Sequence, residues 1–192
     1  MSFAGYAPPT GQPVDADTIR VGVIGTGFGA SLHLSALREC PGFTTVAIAS
    51  RRVDRARAAA HDHNIPAHFS DFREMVRHPD IDAVIVATPP HLHHPMVIAA
   101  LEQHKHVLCE KPMARNLAEA KDMLRIAERT NAVAMVNNQL RFLPARMRVS
   151  EMIREGYIGE PHAASVVVHR SSLNDPHDRP WGWLMEAEKA GG

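Results

Sequence analysis

Two short segments of the chain combine residue types and spacing that suit chemistry directly. The first is the loop of Gly25, Thr26, Gly27, Phe28, Gly29 and Ala30, in which Gly25, Gly27 and Ala30 fill the pattern G-x-G-x-x-G/A. The first position permits a tight turn, the second lets a pyrophosphate approach the backbone, and the third lets a helix lie close to a strand. A helix start adds free N–H groups and partial positive charge for phosphates. Alone, the pattern is a common glycine-rich turn. An apolar strand before it and a helical pattern after it make it specific. The second segment is Ser50-Arg51-Arg52, after the next β-rich run. A dinucleotide site usually places Asp or Glu there for the adenosine ribose 2′-hydroxyl. No carboxylate occurs here before Asp54. A hydroxyl and two guanidiniums suit a 2′-phosphate and predict NADP(H) in preference to NAD(H), against the plainer reading of a solvated helix start.

Two further segments follow apolar strands. One runs Ala87-Thr88-Pro89-Pro90-His91-Leu92-His93-His94 and the other Cys109-Glu110-Lys111-Pro112. In a doubly wound sheet, ligands bind beyond the C-terminal strand ends, so both segments are expected to face the nicotinamide end of a cofactor on the glycine loop. His91, His93 and His94 raise metal binding as an alternative. No companion carboxylate or cysteine cluster accompanies them, so no metal site is assigned. Cys109, inside an apolar strand, reads as a small buried residue rather than a nucleophile.

The elements that position these segments alternate in type. Arg20–Ile24, Thr45–Ala49, Ala83–Ala87, His106–Cys109 and Val133–Val136 read as strands. Between them, Ser31–Arg38, Asp54–His63, Asp71–Val76 and Met96–Gln103, with Pro95 in the first turn, read as helices. Asn116 and Glu119 resemble a capping box before a helix whose apolar face is Leu117, Ala120, Leu124 and Ala127. The alternation predicts an α/β fold, a doubly wound parallel Rossmann sheet with helices on both faces. Past Pro144, a helix is expected over Ala145–Glu155, with Met152 and Ile153 on its buried side and Gly156 as its stop. One strand follows at His162–Arg170, then a turn-rich tail with exposed Trp181 and Trp183. The domains expected are a flexible leader at 1–18, an NAD(P)-binding domain at 19–144 and an incomplete substrate domain at 145–192.

The chain has 192 residues, of which 45% are hydrophobic and 22% charged, enough to bury a core. Basic and acidic residues number 21 each, so bulk charge offers nothing to capture nucleic acid or a membrane surface. Cys40 and Cys109 are too few for a disulfide scaffold. No apolar run approaches the ~18 residues of a transmembrane helix, and the N-terminus lacks a signal-peptide pattern, so a cytoplasmic location is expected.

GVIGTGFGA, ATPPHLHHP and HVLCEKPMARN, in this order and spacing, resemble the Gfo/Idh/MocA family of nicotinamide-dependent oxidoreductases. Asn137–Pro144 resembles the family's domain-crossing segment, and WGWLMEAEKAGG its approach to a glycine-rich turn. The resemblance spans about Ile19 to Gly192 and implies a Rossmann domain followed by an α/β domain with an open antiparallel sheet. It implies reversible hydride transfer between NADP(H) or NAD(H) and a hydroxyl or carbonyl of a sugar, inositol or related polyol. By the same resemblance Lys111 is the active-site lysine, its ammonium held to the reacting oxygen, and Glu110 orients it. Thr88, Pro89, His91 and His93 belong to the loop lining the nicotinamide ribose, where Pro90 replaces a frequent asparagine. Arg141 and Phe142 fall near the domain interface. The family's catalytic histidine lies downstream of the glycine-rich turn, and His162, His169 and His177 do not match it. The expectation is therefore an N-terminal piece that binds cofactor and turns over little. A full-length chain would form a homo-oligomer through its C-terminal sheet. The alternatives are a non-catalytic nucleotide-binding module and a fragment that folds poorly.

Overall fold

The structure, a computed structural model, describes residues 18–169 and 186–190. The expected leader up to residue 17, Arg170, His177, Trp181, Trp183 and Gly191-Gly192 lie outside the described residues. The chain divides into two compact units, Met1–Asn137 with Glu186–Gly192, and Asn138–Met185.

In chain order the first unit contains β1 (Ile19–Ile24), α1 (Phe28–Arg38), β2 (Phe43–Ala49), α2 (Val53–Asp62), β3 (Ala67–Phe69) and α3 (Phe72–Val76). It continues with β4 (Ala83–Val86), a 3-10 turn (Pro90–Leu92), α4 (His93–Glu102), β5 (His106–Cys109), α5 (Leu117–Ala127) and β6 (Ala134–Val136). The strands form one parallel sheet in the order β3-β2-β1-β4-β5-β6. This is the doubly wound Rossmann order. The chain winds outward from β1 to β3, then returns to β4 on the other side of β1. The crevice of such a sheet opens at that reversal, beyond the C-terminal ends of β1 and β4.

Side-chain alternation explains why the strands are apolar throughout. Along β4, Val84 and Val86 pack with Met96, Val97 and Leu101 of α4, while Ile85 turns to the opposite face with Ala30 and Leu34 of α1. Each face is covered by helices, so neither parity of the strand tolerates a polar residue. Helix starts follow the expected chemistry. The Asp71 side chain accepts a hydrogen bond from the Arg73 N–H at the start of α3. Asn116 accepts from the Glu119 N–H at the start of α5, and the Glu119 carboxylate reaches back to the Arg115 N–H at 3.0 Å.

Several expectations change. β3 has no counterpart in the sequence reading. α4 begins at His93, ahead of Pro95. On α5, Leu117 and Leu124 are 68% and 56% exposed, and Met123 supplies the buried contact. The docking face is shifted toward Met123 and Ile126, beside α4, while Ala127 of the predicted face still packs against the core. The second unit contains a 3-10 turn (Gln139–Phe142) and α6 (Pro144–Arg154). α6 ends at Gly156, whose φ is +78°. None of its residues is buried, and Ile153 is 40% exposed, so the predicted Met152–Ile153 core contact is absent among the described residues. The strand expected at His162–Arg170 does not form over 162–169. A strand needs a ladder partner, and the described residues provide none there. α7 (Ala187–Ala190) belongs to the first unit and packs against the 3-10 turn at Pro90–Leu92. No helix of the described residues is long and apolar enough to cross a membrane.

At the sheet's opposite end, Arg20 grips Asp82 with Nη2 on Oδ1 at 2.7 Å and Nε on Oδ2 at 2.9 Å, and reaches Asp80 at 3.0 Å. The Arg20 hydrogen bond holds the Asp82 carboxyl below its ordinary value against a smaller opposing effect of burial. A depressed carboxyl stabilises the fold above the unfolded-state value, and that stability is lost as pH falls through the folded value. Both partners are about one-third exposed, so screening keeps the pair to about 1 kcal/mol. Arg20→Gln should lower the melting temperature by roughly 2–4 °C at pH 7 and by less at pH 3. An equal drop at both pH values would assign the loss to packing alone.

Candidate functional site

The site is built at the C-terminal ends of β1, β2, β4 and β5. Gly25 leaves β1 with φ +121°, and its N–H donates to the Ala49 carbonyl at 2.8 Å. A Cβ at this position would lie 2.5 Å from the Ala87 carbonyl oxygen, so only glycine lets β1 and the β4 loop approach this closely. Gly27 is the N-cap of α1, extended at φ −89° and ψ −172°. A Cβ there would meet nothing within 4 Å, so space is open in front of the helix. No side chain caps α1, and no acidic residue lies in its first turn. The first N–H groups of the helix therefore keep their hydrogen-bonding capacity and partial positive charge. Ala30, 1% exposed, seats the helix on the sheet, and Gly29 lies over the Ala87 methyl group. Phe28 opens α1, and its side chain lies outside the described set.

Beside this loop, the Thr26 hydroxyl donates to Ser50 Oγ at 3.4 Å, and Ser50 Oγ accepts from the Arg52 N–H at 3.3 Å. The two arginines differ. Arg52 Nη2 pairs with Asp54 Oδ2 at 3.1 Å in solvent. Arg51 is exposed and makes no hydrogen bond or ion pair with a described residue, so its guanidinium is available to a ligand.

The β4 loop presents Thr88, Pro89 and His91. The Thr88 hydroxyl donates to the Met96 thioether at 3.4 Å. His91 Nδ1 is buried with no hydrogen-bond partner among the described residues. Burial pushes the His91 ring below the usual histidine value. The Lys189 backbone opposes that shift, and the charges of Lys189, Arg115 and Arg51 add to it. α7 is held here by Arg115, whose Nη1 donates to the Glu188 carbonyl at 3.2 Å.

His93 occupies a different place from the lining position expected of it. It is 1% exposed, beneath the loop. Its ring nitrogens face the Pro112 carbonyl at 2.9 Å and the Thr88 carbonyl at 2.7 Å. Carbonyl oxygens only accept, so the ring is the donor in either contact. His94 turns away to Asp122 at 2.9 Å. The three loop histidines thus take divergent directions, and no cluster of three metal-ligating side chains occurs among the described residues.

At the end of β5, Glu110 reaches Lys111 through the main chain rather than through the ammonium. Its carboxylate makes no contact with the Lys111 ammonium. Oε1 accepts from Asn137 Nδ2 at 2.7 Å and from His33 Nε2 at 2.8 Å, and Oε2 accepts from the Lys111 backbone N–H at 3.1 Å. Burial opposes ionisation of Glu110, yet these donors together lower its carboxyl. Lys111 is exposed, and its ammonium has no partner among the described residues. The Lys111–Pro112 peptide bond is cis. Cys109 is buried, and burial pushes its thiol up to about 12, leaving it inert as a nucleophile. Arg141 belongs to the second unit, where its guanidinium lies 5.5 Å from the Phe142 ring centroid.

Sequence reasoning missed His33 and Asn137. His33 follows Gly29 by one helical turn on α1, the position from which a side chain shares the glycine's face. Asn137 directly follows β6, and a polar residue at that strand end was the available signal.

The uncapped helix, the open space at Gly27 and the forced glycine at Gly25 fit the pyrophosphate of a dinucleotide. Comparison with known proteins agrees. Residues 19–138 match the oxidoreductase family with an NAD-binding Rossmann fold, GFO_IDH_MocA. A 1,5-anhydro-D-fructose reductase from Ensifer adhaerens is 36% identical over 173 residues, covering 90% of this chain and 51% of that protein. The crystal structure of an NAD binding oxidoreductase from Klebsiella pneumoniae superposes with a TM-score of 0.79 at 31% identity, covering 91% of this chain and 48% of that one. A variant of a 3-ketoreductase from Actinomadura kijaniata, in complex with TDP-benzene and NADP, superposes at 0.68 with 35% identity, covering 74% and 44%. The chain spans about half the length of the curated relatives it matches.

Proposed function

The chain belongs to the Gfo/Idh/MocA family of oxidoreductases, and on that premise we propose that its crevice binds NADP(H) in preference to NAD(H) for hydride transfer at a sugar or polyol carbon. The observation that carries the reading is the start of α1, with free N–H groups, open space at Gly27 and no acidic residue. A bound nicotinamide nucleotide supplies or accepts the hydride. The chain's own residues do the rest. The Gly25–Ala30 loop seats the pyrophosphate, and Thr26 and Ser50 border the adenosine ribose. Arg51, unpaired and exposed, grips a 2′-phosphate, while Arg52 is partly committed to Asp54. Thr88, Pro89 and His91 line the β4 side of the crevice. Lys111 hydrogen-bonds the reacting oxygen of the substrate and carries its proton. The first unit forms the nucleotide-binding domain, and the second unit, which carries Arg141, contributes to holding substrate. The relatives support the substrate class, one being a reductase of an anhydro sugar and another a myo-inositol 2-dehydrogenase of Thermotoga maritima.

Fluorescence titration of the purified chain with NADPH and NADH tests the reading, followed by a polyol panel with each oxidised cofactor. We expect saturable binding with NADPH at least about tenfold tighter, the worth of one charge-assisted contact. Arg51→Ala should remove that difference. Tighter NADH binding would overturn the preference, and no saturable binding of either nucleotide would overturn the site.

A further inference from the structure

We propose that His33, Asn137 and His93 are positioning residues that pin the backbone on both sides of Lys111, making the phosphate-binding helix and the Lys111 loop one mechanical piece. The inference rests on the proposed nucleotide site and assigns work to residues outside its lining.

Lys111 is exposed, and its side chain has no described partner. Its placement must therefore come from the backbone. On its N-terminal flank, Glu110 gathers donors from three places with one carboxylate. His33 comes from α1, the helix whose first turn faces the open space at Gly27. Asn137 comes from the end of β6. The third donor is the Lys111 N–H itself. The His33 and Glu110 side chains are only 11% and 17% exposed, so competition from water is weak. The main chain supports the same junction. The Glu110 N–H donates to the Val86 carbonyl at 2.9 Å, and the Asn137 N–H to the Cys109 carbonyl at 2.7 Å. These bonds set the ends of β4, β5 and β6 in register. On the C-terminal flank, the Pro112 carbonyl faces the buried His93 ring, which also meets the Thr88 carbonyl of the β4 loop.

The lysine is thus mobile as a side chain and fixed as a backbone. A nucleotide seated on α1 is held in constant register with the Lys111 N–H through His33 and Glu110. Such supporting contacts decide whether a reactive group sits within the fraction of an ångström that chemistry requires. A bond that served stability alone would not transmit anything between the helix and the loop.

The experiment follows exchange of the Lys111 amide hydrogen by NMR in the full chain, with and without saturating NADPH. The proteins are wild type, His33→Ala, His33→Gln and Asn137→Asp. In the nucleotide-free protein, His33→Ala and Asn137→Asp should speed exchange about tenfold, as expected for losing a bond to a charged acceptor. His33→Gln keeps an N–H donor of similar reach and should restore the rate to within about twofold. NADPH should slow exchange in wild type and His33→Gln, and leave His33→Ala unchanged. An unaltered Lys111 rate in His33→Ala, or an equal response to NADPH in all variants, would overturn the clamp. Should His33→Ala not fold, Asn137→Asp and His33→Gln decide the same question. A wild type that binds neither NADPH nor NADH would instead overturn the proposed site. The nucleotide-free rates would still judge the clamp.

Discussion

Gly25→Ala should cost the fold about 2–6 kcal/mol, and its neighbour Gly27→Ala almost nothing. At Gly25 two penalties coincide. The backbone sits at φ +121°, where a side chain costs about 1–3 kcal/mol. The added methyl would also stand 2.5 Å from the Ala87 oxygen and 3.0 Å from the Ala87 carbonyl carbon, an overpacking of about 1–3 kcal/mol. Backbone is poorly able to yield there, because the Ala87 N–H is bonded to the Ile24 carbonyl at 2.9 Å. A chain of this size loses roughly 2–4 °C per kcal/mol, so the melting temperature should fall by roughly 10 °C. Gly27 has an ordinary φ and open space, so its methyl strains nothing. That methyl instead occupies the room intended for phosphate, and NADPH affinity should drop at least about tenfold. Thermal melts and nucleotide titrations on the two variants separate the roles. A Gly25→Ala protein that melts with wild type would contradict the close approach of β1 and the β4 loop. A Gly27→Ala protein with wild-type affinity would contradict phosphate binding at this helix.

His93→Ala is the second large expected loss, about 3–5 kcal/mol. The ring's one N–H serves one of the two carbonyls, of Thr88 or Pro112, and that carbonyl would lose its donor, at about 1–3 kcal/mol for the unsatisfied group. The cavity left by a ring 1% exposed adds to that. His93→Phe fills the cavity and supplies no N–H, so it isolates the hydrogen-bond contribution. Urea denaturation should place His93→Phe well below wild type and above or near His93→Ala. If His93→Phe matches wild type, the ring serves only as volume. Neither result bears on Lys111 directly, because His93 acts through the main chain of the two loops.

The sheet was legible because its pattern is written locally. Ala83–Val86 and His106–Cys109 are short apolar runs flanked by helical periods, and their shortness favours strands covered on both faces over buried helices. β3 was invisible because Ala67-His68-Phe69 is three residues with a polar centre, and only its pairing with Ala47–Ala49 makes it a strand. The opposite error at 162–169 has the same cause, since β propensity there meets no partner among the described residues. At the site, the glycine pattern was readable because it sits between a strand and a helix start, and Gly25 answers a local steric demand. The Glu110 partners were not. His33 is 77 residues away and Asn137 is 27, and no periodicity connects them. His93 was placed in the right loop and on its wrong side, because a motif gives order along the chain and not the direction of a side chain.

The strand order has a consequence for how the chain acquires its shape. β1, the earliest described strand, lies at the centre of the sheet, and its β4 neighbour is supplied by residues 83–86, about sixty positions later. Parallel strands cannot zip through a hairpin, so every pairing waits for a crossover to be synthesised and closed. During translation one edge of β1 therefore stays unpaired until Ala83 to Val86 emerge, while β2 pairs the other edge alone. Such non-local pairing folds slowly and exposes apolar edges to other chains. Chaperone dependence in the cell and concentration-dependent loss on refolding would both trace to that wait at the strand that ends in Gly25.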